Sequence, residues 1–194
     1  EDVQNFARRI HSESSRLLSL IADIIQLSEL DYIEGRDDFE NVDLLDLAHA
    51  TENSLAPGAE KYGIVISVEG EHFQTFGCGS LLEELIYNLC DNAIRYNKRN
   101  GKVSVTVFGS EGRPAISVED TGIGIPEDKL DRVFERFFRV DKGRSKRTGG
   151  TGLGLAIVKH IALRHGAQIS ISSELGKGTK ITVAFEENKG ENSD

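Results

Sequence analysis

Asn88 and Asn92 stand four residues apart in "ELIYNLCDNAIRYN", residues 84–97. In a helix that spacing stacks both amides on one face. Leu85, Leu89, Ala93 and Tyr96 recur beside them at helical spacing and can turn to a core. Asparagine is a poor helix-interior residue, because its amide competes for backbone hydrogen bonds. The pair therefore points to two carbonyls aimed at one target. A hard cation such as Mg2+ accepts neutral oxygens of this kind alongside phosphate oxygens and water. Two exposed surface asparagines are the plain alternative.

A second group follows in "VEDTGIGIP", residues 118–126. An apolar strand runs into Asp120, and Gly122 and Gly124 come next. A carboxylate at a strand end is held in a cleft by the sheet and can accept a hydrogen bond from a ligand amine. The glycines let a flat ring slide against backbone. A glycine turn with an aspartate cap is the other reading. A third stretch, 131–150, passes from Phe134, Phe137 and Phe138 to a basic loop. Arg132, Arg136, Arg139, Lys142, Arg144, Lys146 and Arg147 gather positive charge in a chain whose formal net charge is -9. A solvated loop or a polyphosphate contact would each use that charge.

The basic loop runs into "GGTGLGLA", residues 149–156, with glycines at 149, 150, 152 and 154. No Gly-Lys-Ser/Thr follows, so this is no Walker loop. The G-x-G-x-G spacing after a basic loop is no dinucleotide fingerprint either. The glycines open a helix near Leu153. Free amides at a helix start, with no side chains in the way, suit a phosphate anion. The same glycines let the segment before them, 132–150, swing as a lid.

The elements that must carry these groups can be read from periodicity. Residues 1–31 hold a heptad repeat: Val3, Ile10, Leu17 and Ile24 on one position, Phe6, Leu20 and Leu27 on the other, with Glu13 the exception. Leu18, Ile21 and Ile25 widen the stripe, which favours one helix of a four-helix bundle. The acidic stretch 32–43 reads as a linker or entry strand. A helix spans 44–61. Residues 64–69 and 73–78 alternate as strands and are expected to pair as a hairpin across Gly70. Helices near 80–97 and 153–165 bracket strands at 102–109 and 115–120. A closing hairpin turns over "LGKG", and 188–194 form a polar tail. Strands in adjacent pairs between single helices predict an α+β, two-layer sandwich with a mostly antiparallel sheet, preceded by one amphipathic helix.

Composition narrows the classes. The chain has 194 residues, 38% hydrophobic and 28% charged, which fits a folded protein. Its acidity argues against general nucleic-acid binding. Two cysteines, Cys78 and Cys90, offer neither metal spacing nor a disulfide framework. With Glu1 first and no methionine, we expect a piece of a longer protein.

In order and together, the four stretches resemble the boxes of bacterial sensor histidine kinases. "NLCDNAIRYN" is similar to their N box, "DTGIGIP" to the G1 box, "FERFFR" to the F box and "GGTGLGLAIVKHI" to the G2 box. "HGAQISISSELGKGTKITVAF" resembles the usual end of that domain, and "FFRVDKGRS" resembles phosphate-regulon-type kinases. The likeness covers about residues 40–187. It implies the GHKL (Bergerat) fold over 44–187, with ATP and Mg2+ as cofactors. It implies that Asn92 coordinates Mg2+ and that Asn88 lies beside the phosphates. Arg95 and Tyr96 would line the nucleotide, although Arg95 stands where relatives often have lysine, which keeps charge but not geometry. Asp120 would take the adenine amino group in a pocket shaped by Gly122, Gly124 and Ile125. Arg139 would reach the phosphates, and with Asn88 it would serve the transfer step. Gly150, Thr151, Gly152, Leu153 and Gly154 would form the phosphate-contacting turn, and Thr179 would support adenine through a water.

The resemblance further implies a response-regulator receiver domain as partner, a homodimer in the full-length parent, and a cytoplasmic position in a membrane-anchored protein. One departure matters. The H-E-x-x-T-P-like acceptor box is absent: His11, in "RIHSESS", has the wrong neighbours, as do His49, His72, His160 and His165. The acceptor is therefore expected upstream. This chain would then bind ATP without phosphorylating itself. A regulatory nucleotide-binding module is the alternative. A GHKL ATPase is another, though such enzymes carry a glutamate where Asn88 stands.

Overall fold

The computed structural model describes residues 2–32, 38–140 and 151–186. In chain order these form α1 (Asp2–Tyr32), β1 (Glu40–Asp43), α2 (Leu44–Glu60), β2 (Val65–Gly70), β3 (Gln74–Gly77), α3 (Gly79–Arg95), β4 (Lys102–Ser110) and β5 (Arg113–Asp120). A short 3-10 turn at Glu127–Arg132 follows, then α4 (Gly154–Arg164), β6 (Gln168–Glu174) and β7 (Gly178–Ala184).

The main sheet has five strands in the order β2-β4-β5-β7-β6. Only β2 and β4 run parallel; the other neighbours are antiparallel. This is the mixed, mostly antiparallel sheet expected. Val103, Val105 and Val107 alternate along β4 and are buried, as the two-residue period of a strand requires. Leu82, Leu85, Ile86 and Leu89 of α3 join them in one core with Ile157, Val158 and Ile161 of α4. Burying a side chain of this size contributes roughly 1.5–3 kcal/mol, and the common core fixes α3 and α4 against each other.

The hairpin expected between 64–69 and 73–78 does not form. β2 pairs in parallel with β4, and β3 pairs antiparallel with β1 in a separate two-stranded sheet. Parallel neighbours need a crossover, and the one here carries β3 and α3. It lets the apolar face of α3 cover the sheet. Part of the expected linker, 32–43, is thus strand β1. Its Val42 is buried, and Asp43 accepts from the Leu45 and Asp46 amides to cap α2.

On α1, Leu27 is buried and Leu20 packs against the core, while Ile10, Leu17, Ile21 and Ile24 are exposed. The heptad stripe is therefore split, one edge docked on the α/β unit and the other open. Among the described residues, no helix is long and apolar enough to cross a membrane. The segment 141–150, which includes Gly150 and most of the expected lid, and the tail 188–194 lie outside the described residues.

Candidate functional site

Helix α3 presents Asn88 and Asn92 on the flank of its apolar face, as their spacing requires. Each side-chain amide donates to the carbonyl one turn back: Asn88 Nδ2 to Glu84 O and Asn92 Nδ2 to Asn88 O, both at 3.0 Å. A carbonyl only accepts, so these contacts fix which arm is nitrogen and leave each Oδ1 on the other arm. Gly154, the first residue of α4, packs directly against both side chains. No side chain caps that end of α4, so its first amides open beside the two asparagines.

Asp120 ends β5. Its Oδ1 accepts the Gly122 amide at 2.7 Å. Burial pushes its carboxyl up to about 6, while the Gly122 and Thr179 amides and the Lys98 charge pull the other way. At neutral pH it stays mostly ionised and accepts hydrogen bonds. The loop after it is clasped from two sides. Ile123 donates to Tyr96 O at 3.1 Å, and Gly176 donates to Ile123 O at 2.7 Å. A Cβ on Gly122 would stand 2.4 Å from Tyr96 O. Close backbone packing within the protein is by itself enough to require glycine there.

These groups meet on one cavity of about 800 Å³, a size suited to a small-molecule ligand. Asn88, Asn92, Arg95, Tyr96, Asp120, Gly124, Ile125, Arg139, Thr151, Gly152, Gly154 and Thr179 all line it. Two expected residues do not. Gly122 stands behind Asp120 as its hydrogen-bond donor. Leu153 is fully buried in the core and anchors the start of α4. Gly150 lies outside the described residues.

The aromatic segment is tied to the glycine turn: Phe137 donates to Gly152 O at 3.0 Å, and Gly152 takes φ +78, where glycine carries no steric penalty. Of the basic residues before it, Arg132 lies over the Phe138 ring and pairs with Glu135. Arg136 contacts His160 of α4 at 3.1 Å. Both meet the scaffold, and Arg139 lines the cavity. Arg95 pairs with Asp91 one turn back along α3.

Sequence reasoning missed several residues. Ser19 and Asp23 reach the cavity from α1, and Lys98 reaches it from the loop after α3. Ser173 of β6 contacts Thr179 Oγ1 at 2.8 Å from outside the cavity. Strand alternation alone could not place Ser173, because its partner depends on register. Asp23 sits beside the heptad stripe, where a charge ordinarily means solvent.

The arrangement offers a hydrogen-bond acceptor at one end. At the other it offers amide oxygens, an uncapped helix start and a guanidinium. That combination suits a ligand with an amine-bearing ring and an anionic tail.

Comparison with known proteins gives the same direction. Residues 77–189 match the model of the histidine kinase-, DNA gyrase B- and HSP90-like ATPase family. The sensor-like histidine kinase SenX3 of Mycolicibacterium smegmatis is 39% identical over 188 residues, 96% of this chain and 49% of its own length. The phosphate regulon sensor protein PhoR of Pseudomonas aeruginosa is 35% identical over 180 residues, 92% of this chain and 40% of its own. The chain thus spans about half or less of the curated relatives it matches. Among solved structures, full-length ShkA in complex with AMPPNP has a TM-score of 0.79 at 26% identity, covering 95% of this chain and 39% of that one. The mycobacterial sensor histidine kinase MprB has a TM-score of 0.67 at 29% identity, covering 76% and 96%. With more than half its residues matched, and with a core and cavity arranged as described, the chain belongs to the histidine kinase-, DNA gyrase B- and HSP90-like ATPase family, in the form carried by sensor histidine kinases.

Proposed function

We propose that this chain binds ATP with Mg2+ and presents the terminal phosphate to a histidine supplied by the rest of a two-component sensor kinase. The observation that carries the reading is the single cavity shared by Asn88, Asn92 and Asp120. The full-length ShkA structure, which holds AMPPNP, shares this fold.

In this reading the Asp120 carboxylate accepts the adenine amino hydrogen. The backbone at Gly124 and Ile125 forms a wall of the base pocket, and Tyr96 and Arg95 flank the nucleotide. The phosphates lie toward Thr151, Gly152 and the open amides at Gly154, with Arg139 opposing their charge. The donor set fits a hard cation: Asn92 would hold Mg2+ through its amide oxygen, with Asn88 beside the phosphates. When bound, the ion supplies charge neutralisation for phosphoryl transfer. Such transfer asks the protein mainly for positioning and electrostatics, and no general base is assigned.

The exposed half of the α1 stripe supports a bundle helix that pairs with another helix, in a homodimer of the parent kinase. A response-regulator receiver domain and a membrane anchor belong to the same proposal. Calorimetry with Mg-ATP tests the first step: saturable binding is expected, and its absence would overturn the reading. The second test supplies a separate helical bundle carrying an acceptor histidine. Radiolabel should pass from ATP to that bundle and not to this chain. Binding without transfer would favour a regulatory nucleotide module.

A further inference from the structure

Asp120, Thr179 and Ser173 form one row across three neighbouring strands. Asp120 of β5 stands opposite Thr179 of β7, and Thr179 stands opposite Ser173 of β6. The first two line the cavity; Ser173 stands behind them. Its hydroxyl makes three contacts, each at 2.8 Å: with the Ile125 amide, with Gly178 O and with Thr179 Oγ1.

A serine hydroxyl has one hydrogen and two lone pairs. The Ile125 N–H takes one lone pair. Gly178 O is a carbonyl and has no hydrogen, so the Ser173 proton must lie on that contact. Two oxygens at 2.8 Å need a hydrogen between them, and Ser173 has none left for Thr179. The Thr179 hydroxyl must therefore donate its own. With that hydrogen turned away from the cavity, Thr179 Oγ1 shows the ligand only lone pairs. The ionised Asp120 beside it is also an acceptor. The ring end of the cavity is thus a wall of acceptors, and it matches an edge that carries an amino group.

We infer that Ser173 is a positioning residue which fixes the hydrogen-bond polarity of Thr179, and so makes the site select a 6-amino purine over a 6-oxo purine. The inference rests on the ATP-site reading and adds its base specificity. A site built to receive donors strands its own acceptors, and those of the 6-oxo analogue, when the amino group is missing.

The test is calorimetry of the whole chain with Mg-ATP and Mg-ITP, for the wild type, Ser173→Ala, Ser173→Thr and Thr179→Val. In the wild type ATP is expected to bind about 100-fold tighter or more. In Ser173→Ala the Thr179 hydrogen is freed to turn toward an O6 atom, so the ATP/ITP ratio should fall about tenfold. Ser173→Thr keeps the hydroxyl and should keep the ratio. An unchanged ratio in folded Ser173→Ala overturns the inference. If circular dichroism shows that this variant does not fold, Thr179→Val decides. A falling ratio there supports an acceptor-only Thr179, and an unchanged or rising ratio refutes it. ATP and ITP binding equally to the wild type sinks the inference alone, whereas no ATP binding at all sinks the nucleotide reading with it.

Discussion

Gly154 and Asn88 touch so closely that a Cβ on the glycine would stand 2.9 Å from the asparagine Oδ1 and 3.2 Å from Asn92 Nδ2. The first residue of α4 is therefore held against the polar face of α3 by the absence of a side chain. The uncapped amides of α4 and the amide oxygens of α3 share one end of the cavity for this reason.

Gly154→Ala separates site geometry from stability. Alanine favours a helix by up to about 1 kcal/mol over glycine, while the new methyl group displaces the asparagine side chains. Urea unfolding should show little loss of stability, or a small gain. Mg-ATP affinity should fall about tenfold or more, by the sensitivity of oriented ligand groups to misplacement. Unchanged affinity would show that the Asn88 and Asn92 positions do not matter to the ligand.

Asp120→Asn should trade binding for stability. Burial raises the Asp120 carboxyl from 3.8 to about 6. Between those values the folded chain holds a proton that the unfolded chain lacks. Its contribution to stability therefore grows as pH falls through that window and is lost as pH rises through about 6. Ligand binding runs the opposite way, because the protonated acid is no longer a pure acceptor. The wild type should bind Mg-ATP more weakly at pH 5.5 than at pH 7.5. Asp120→Asn should show neither trend, should melt no lower than wild type at pH 7.5, and should lose Mg-ATP binding. Calorimetry and thermal scans at both pH values check each sign.

Gly178→Ala should be costly in the apo protein. Gly178 has φ +135, and a Cβ there would stand 1.8 Å from the Asp120 carbonyl oxygen. Either β7 separates from β5 or the turn changes. A loss of about 3 kcal/mol is expected in urea unfolding, with amide-exchange protection falling first along the β5–β7 ladder. A loss below ~0.5 kcal/mol would mean that the turn adapts freely.

His165→Leu tests a buried polar joint away from the cavity. His165 Nε2 accepts the Cys78 amide at 3.1 Å, Nδ1 donates to Ile161 O at 2.7 Å, and the ring stacks on Phe39 with centroids 4.8 Å apart. Leucine keeps volume but strands the buried Cys78 amide, while Ile161 O keeps the backbone amide of residue 165. Destabilisation of about 2 kcal/mol is expected, with Mg-ATP affinity of the folded protein unchanged. A changed affinity would show that this joint reaches the ligand site.

Local pattern was enough for much of this. The helical spacing of Asn88 and Asn92, the strand running into Asp120, and the glycines opening α4 depend on residues within a few positions of one another. The fold class followed from the alternation of strand pairs with helices. Such features come from backbone geometry and periodicity, which a linear chain carries with it.

Pairing across the chain was another matter. Residues 64–69 and 73–78 look like hairpin partners locally, yet β2 lies beside β4 and β3 beside β1. Burial of the α3 apolar face is a cooperative gain that no six-residue window contains. Ser173 gained its place only through the β6–β7 register, and Asp23 only through the docking of α1. Gly122 was recognised for its type, but its reason is a backbone 26 residues away at Tyr96. The chemistry-bearing residues were legible one by one because their local geometry is their signal. Their convergence on one cavity was settled in three dimensions, because packing energy depends on neighbours far apart in the chain.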